Sequence, residues 1–242
     1  MAGWVGPVAK LETMPLIRID ATDLRAFGST WQSNGESLSR KPPNSSSQFA
    51  MFFDRAVATA LAKFLGRIPI NEVGWRTLLP PTTDCVEVGQ VRIVGGVRPQ
   101  AFDVGYRPDG PRLLFDSKTL NDLKSVRKNW QNMINDLATE ATTAHSRFPF
   151  AIVGFLIAIP EPCIPERQYA PLKETLERMA GRTGTEEQPH LAEAISLVIW
   201  DPATGQISST MPPEDSPLRL QKFGEAVEQV YLARYKGLPP HD

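Results

Sequence analysis

Hydrophobic positions change period several times along the chain, and those changes mark its elements. From 48 to 66, Phe49, Phe52, Phe53, Val57, Ala60, Leu61 and Phe64 recur at three- and four-residue spacings, which predicts an amphipathic helix stopping at Gly66. Between 84 and 119 the period shortens to an alternation rich in Val, Ile and Phe, cut by Gly95-Gly96 and by Arg-Pro-Asp-Gly at 107–110. Three consecutive strands in a meander are expected there, at 86–94, 100–106 and 112–119. The helical period returns with Val126, Trp130, Met133, Ile134, Leu137, Ala138, Ala141 and Ala144, with Ser125 placed to cap it. The run 150–159 is apolar throughout, as in a strand buried on both faces in the middle of a sheet. A helix over 166–179, a hairpin of 194–200 with 206–210, and a closing helix over 217–235 complete the pattern.

The first 47 residues are less periodic. Leu16 to Ile19 suit a short strand and Thr22 to Phe27 a helical turn, while 32–47, QSNGESLSRKPPNSSS, has the composition of a loop. The expected organisation is an N-terminal arm and polar loop over 1–47 and an α/β domain over 48–242. Its core, 48–160, runs αβββαβ around a central mixed sheet, and 161–242 is appended to it.

Composition narrows the class. The chain has 242 residues, 41% hydrophobic and 22% charged, which excludes wholesale disorder. The longest apolar run is far short of the roughly 20 residues that cross a bilayer, so no membrane association is expected. The N-terminus has no basic start followed by a long apolar stretch, and a cytoplasmic location is expected. Two cysteines, Cys85 and Cys163, and three scattered histidines give no zinc-binding spacing. The net charge is −1, yet 92–128 holds eight basic against four acidic residues, and the chain from 161 onward holds 13 acidic against eight basic. That asymmetry suits a protein that meets a polyanion through one face. G-x-S-x-G, P-loop, G-x-G-x-x-G and H-E-x-x-H motifs are absent.

Charged residues stand where the strands should be apolar. In Leu113-Leu-Phe-Asp-Ser-Lys-Thr119, Asp116 and Lys118 are two apart and project from one face of their strand. Asp103 lies on the preceding strand, which the turn at 107–110 brings alongside. The two carboxylates are thus expected to share a cation. Magnesium, which takes hard oxygen ligands and often only one or two carboxylates beside water and phosphate, fits Asp103 and Asp116. Lys118 would contact the attacking water. Asp122-Leu-Lys124 repeats the acid-x-lysine spacing, but in a polar turn.

These residues resemble the PD-(D/E)xK nuclease superfamily, the fold of most type II restriction endonucleases. Asp103 is similar to its first acid, with Phe102 where proline often precedes it. Asp116-Ser117-Lys118 is similar to its acid-x-lysine triplet, and the element order over 48–160, about half the chain, resembles its core. The resemblance implies a restriction-endonuclease-like fold and Mg2+-dependent hydrolysis of DNA phosphodiesters, with Asp103, Asp116 and Lys118 catalytic and the two acids holding the metal. A third acid from the first helix is implied by some members, and Asp54 is the one available there, with Glu72 and Glu87 beyond it. Double-stranded DNA is the implied partner and a homodimer, through the arm or the last helix, the implied assembly. Arg127 and Lys128, at a helix start where the dipole disfavours cations, are rationalised by a phosphate. Asn129, Asn132 and Asp136 share a polar face with Lys128. His145, at the same helix's end, reads as structural; Trp31, Trp75 and Trp130 could stack on bases, with Trp130, at a helix-periodic position, reading as core. Alternatives are a non-catalytic DNA-binding or assembly protein on the same scaffold, and a repair or RNA nuclease.

Overall fold

In the computed structural model, residues 10–124 and 126–241 are described, Arg127 and Lys128 by backbone alone. Helix α1 (Ala21–Ser33) starts at Asp20, whose carboxylate accepts the Thr22 and Asp23 N–H groups. Helix α2 (Ser46–Phe64) starts with a reciprocal cap, Ser45 and Gln48 each bonding the other's backbone N–H. Strands β1 (Ile70–Val73), β2 (Val86–Val94), β3 (Pro99–Tyr106) and β4 (Leu113–Thr119) follow, then helix α3 (Val126–His145), β5 (Ile152–Pro160), α4 (Glu166–Met179), β6 (Ala194–Trp200) and α5 (Leu220–Tyr235).

The strands form one six-stranded mixed sheet in sequence order. β1 runs parallel to β2, β2 to β4 form an antiparallel meander, and β5 and β6 continue parallel to β4. The parallel pairs of β4 with β5 and of β5 with β6 need crossovers, which α3 and α4 supply; right-handed connections place both on one face, where they touch. The other face carries α2 and α5, joined by an edge-to-face contact of Phe64 with Tyr231 at 5.4 Å. β4 therefore alternates between the two layers. Phe115 meets Phe223 of α5 at 5.9 Å, while Lys118, of opposite parity, reaches α3. All nine residues of β5 are buried, as its unbroken apolarity requires.

The expected helix, three strands, helix and strand over 48–160 are present with a further strand, β1, between α2 and β2, and other expectations are corrected as well. The N-terminal stretch packs into the common core: Leu24, Phe27 and Trp31 are buried with α2. A Cβ on Gly28 would lie 1.9 Å from the Pro202 carbonyl oxygen, so α1 is pressed against the turn after β6. α1 also extends beyond the turn expected at 22–27, into the presumed loop, and 16–19 forms no strand. Beyond β6 the turn forms, with Gly205 N–H bonding Asp201, but 206–210 joins the sheet only at the bridge of Ile207 with Trp200. There Arg219 draws the Ser208 and Ser209 carbonyls away from a ladder. β1 was not expected: its Asn71 and Glu72 give it no apolar alternation. The Ser125 cap lies outside the described residues.

Candidate active site

The expected acids meet where the sheet forks. β2 carries a bulge between Val88 and Val91, so that Gly89 and Gln90 face the single residue Asp103 on β3. Gly89 makes the bulge possible: its φ is +124°, and a Cβ there would lie 2.3 Å from the Val73 carbonyl oxygen. On its other side β3 pairs with β4 only as far as Val104 opposite Phe115. Beyond that point β4 is held by β5 alone. Asp103 fills the gap with its side chain, Oδ2 accepting the Ser117 N–H at 3.1 Å in place of a ladder carbonyl. Asp103 and Asp116 stand within hydrogen-bonding reach of each other across the fork.

Two helices close the cluster. Asp54, on α2, is buried and interacts with the Ser117 hydroxyl. Glu140, on α3, accepts from Lys118 Nζ at 2.9 Å, and Asp116 Oδ2 accepts from the same ammonium at 2.7 Å. Asp54, Asp103, Asp116 and Glu140 thus crowd together, and among the described residues Lys118 is the cation bonded into the group.

Crowding and burial set the protonation. Asp103 is pushed up to about 10, first by burial and then by the Asp116 charge. Burial followed by the same charge takes Glu140 to about 8. Asp54 rises to about 7, again chiefly through burial. Burial also opposes ionisation of Asp116, but the bond from Asp103 and the Lys118 charge outweigh it and hold Asp116 below the usual range. Lys118 is half-buried, which opposes its charge, yet Asp116 and Glu140 raise it above an ordinary lysine. The two neighbouring carboxyls are thus driven in opposite directions, Asp103 towards its neutral form and Asp116, beside Lys118, towards its charged form.

That chemistry bears on a metal. Among the described residues no group of three His, Cys, Asp or Glu side chains is arranged to hold an ion by itself. The donor set nevertheless has the chemistry a hard cation takes: the Asp103 and Asp116 carboxyls face each other, and Asp54 Oδ1 and Glu140 Oε2 are buried with no donor among the described residues. Asp103 and Asp116 are the residues that would hold it, with water and a phosphate oxygen completing the shell.

Other expected residues fall elsewhere. Glu87 is buried in a two-pronged ion pair with Arg107, at 2.6 and 2.7 Å, and Glu72 pairs with Arg55 on the surface. Neither joins the acids. Asp122 accepts the Lys124 N–H in a turn. Asn129, Asn132 and Asp136 are exposed, and the side chains of Arg127 and Lys128 lie outside the described residues. His145 is structural, its ring nitrogens facing the Pro189 carbonyl and Glu193. Trp31 is core, its Nε1–H donating to the Asn121 carbonyl, whereas Trp75 is half exposed beneath the Arg92 guanidinium. Glu140 was missed. The available signal was its position between Leu137 and Ala141 on the apolar stripe of α3, where a carboxylate needs a partner.

Comparison with protein-family models, curated proteins and solved structures found no match. No helix among the described residues is long and apolar enough to cross a membrane.

Proposed function

We propose that the chain is a Mg2+-dependent endonuclease of the PD-(D/E)xK type, with a restriction-endonuclease-like core, that hydrolyses phosphodiester bonds in double-stranded DNA. The observation that carries this reading is the contact of Asp103 with Asp116 at the fork of β3 and β4, with Lys118 bonded to the second acid. A structural ion pair requires one carboxylate per ammonium. Here the clustered carboxyls exceed the one cation bonded among them by the described residues, an arrangement that costs stability and that a divalent cation would offset.

The bound Mg2+ would supply Lewis-acid polarisation of the phosphate and a water of lowered pKa. The protein's residues do the rest. Asp103 and Asp116 fix the direction from which the phosphate is approached, because one is tied to the Ser117 N–H and the other to Lys118. Lys118, kept charged by its two carboxylates, orients the attacking water and stabilises the negative charge that develops on the phosphate oxygens. Asp54 borders the pair from α2 and is the third acid of this proposal. Cutting both strands calls for two such centres, met most simply by a two-fold homodimer.

Incubation of a mixed-sequence plasmid with Mg2+, with EDTA, and with Lys118→Ala tests the reading. Discrete fragments lost in EDTA and in the variant are expected of a restriction enzyme. A Mg2+-dependent smear would indicate repair or degradation instead. Intact DNA and RNA with folded protein would favour a non-catalytic DNA-binding protein and return the acids to a structural ion pair.

A further inference from the structure

Lys118 is held from two sides by different elements. Its Nζ donates to Asp116 Oδ2 on β4 and to Glu140 Oε1 on α3, at 2.7 and 2.9 Å. Only Asp116 belongs to the pair assigned to the cation. An ammonium and a divalent ion on one carboxylate repel each other strongly in a buried site, so either the ion binds weakly or the ammonium needs another seat. Glu140 offers that seat. It is 6% exposed, it occupies a core-facing position of α3, and its Oε2 is buried with no donor among the described residues, the Asp116 carboxyl lying within hydrogen-bonding reach of the same group. Among the described residues the one ion pair it makes is the bond to Lys118.

We propose that Glu140 is a positioning residue: it anchors the Lys118 ammonium on the α3 side of β4, leaving the Asp116 carboxylate able to take a divalent cation while Lys118 stays beside the phosphate. The idea rests on the nuclease reading, so its test keeps the two separable. The Mg2+ concentration giving half the maximal rise in melting temperature is measured for wild type, Glu140→Ala, Lys118→Ala and the double variant. Duplex cleavage is followed in parallel.

Glu140→Ala leaves Lys118 on Asp116 alone and should raise the Mg2+ midpoint about 10- to 100-fold, the usual range for residues that orient a metal ligand. In the Lys118→Ala background the same substitution should change nothing, because there is no ammonium left to seat. Cleavage by Glu140→Ala should fall in kcat with KM for the duplex unchanged, and Glu140→Gln, which keeps an acceptor for Lys118, should recover part of both losses. Should Glu140→Ala not fold, Glu140→Gln carries the cycle, with a smaller shift of the same sign. An equal shift with and without Lys118 would show Glu140 acting on the ion directly and overturn the inference. So would an unshifted midpoint beside a responsive wild type. A wild type that neither responds to Mg2+ nor cuts would overturn the nuclease reading itself.

Discussion

Asp103 carries two duties that pull against each other. Its carboxylate replaces a missing ladder acceptor for Ser117, and the same carboxylate, half-buried, is crowded by Asp116. Asp103→Asn keeps an oxygen for the Ser117 N–H and removes the crowding. The variant should therefore melt at a higher temperature than wild type without divalent ions, lose the further rise that Mg2+ gives wild type, and lose cleavage. Differential scanning fluorimetry with and without Mg2+ reads the first two. Three of the clustered residues were legible in sequence, because Asp103, Asp116 and Lys118 interrupt apolar strands and a two-residue spacing fixes a shared face. Asp54 was legible only as a helix acid available for the site. Its burial against Ser117 depends on how α2 lies over the sheet, which no local pattern encodes. Glu140 was hidden for the same reason: α3 periodicity marks it as core-facing but does not say that Lys118 waits opposite.

Among elements, the crossover strands need help of a different kind. Glu193, just before β6, is buried and accepts from Arg182 at 2.6 Å, Arg234 at 2.8 Å, the Val153 N–H at 2.8 Å and the His145 ring at 3.2 Å. One carboxylate thus pins α3, β5 and α5 behind the site. Burial opposes its charge, but the bond from His145, the Val153 N–H and the Arg234 charge hold Glu193 below the usual carboxylate range. A carboxyl depressed on folding stabilises the fold above its unfolded pKa of about 4.3, and that contribution is lost as pH falls through the folded value. Glu193→Gln, which strands two buried guanidinium groups, should cost roughly 3–5 kcal/mol near neutral pH in urea unfolding and much less under acid. The strands β2 to β5 were legible because their alternation or unbroken apolarity is strong. β1 was not, since it gains its place by pairing with β2 rather than by burying a face, and the strand expected at 206–210 was lost to the carbonyls that Arg219 takes.

On the scale of the molecule, the basic stretch 92–128 is less available to a polyanion than its charge count implies. Arg107 and Arg112 are buried in pairs with Glu87 and Asp109, and Lys118 is bound within the site. What remains exposed includes Arg98 and Lys124. Duplex affinity should accordingly depend only modestly on salt, with a log–log slope of a few phosphate contacts rather than the slope of about −10 seen for extensive interfaces, as fluorescence anisotropy across a salt series with Ca2+ in place of Mg2+ would read. The fork of β3 and β4 is the feature that organises the rest: a bulge at Gly89 bends β2, β3 follows it away from β4, and the acids fill the opening.

On the nuclease reading, this opening hydrolyses phosphodiesters. The most direct measurement is the conversion of supercoiled plasmid to nicked and linear forms by wild type and Asp116→Asn over a Mg2+ series, both proteins being shown folded by circular dichroism. Mg2+-dependent cleavage by wild type, reduced at least about 100-fold in Asp116→Asn, is the predicted result. Equal rates for the two proteins, or no cleavage by folded wild type at any Mg2+ concentration, would show that these acids do not hydrolyse DNA.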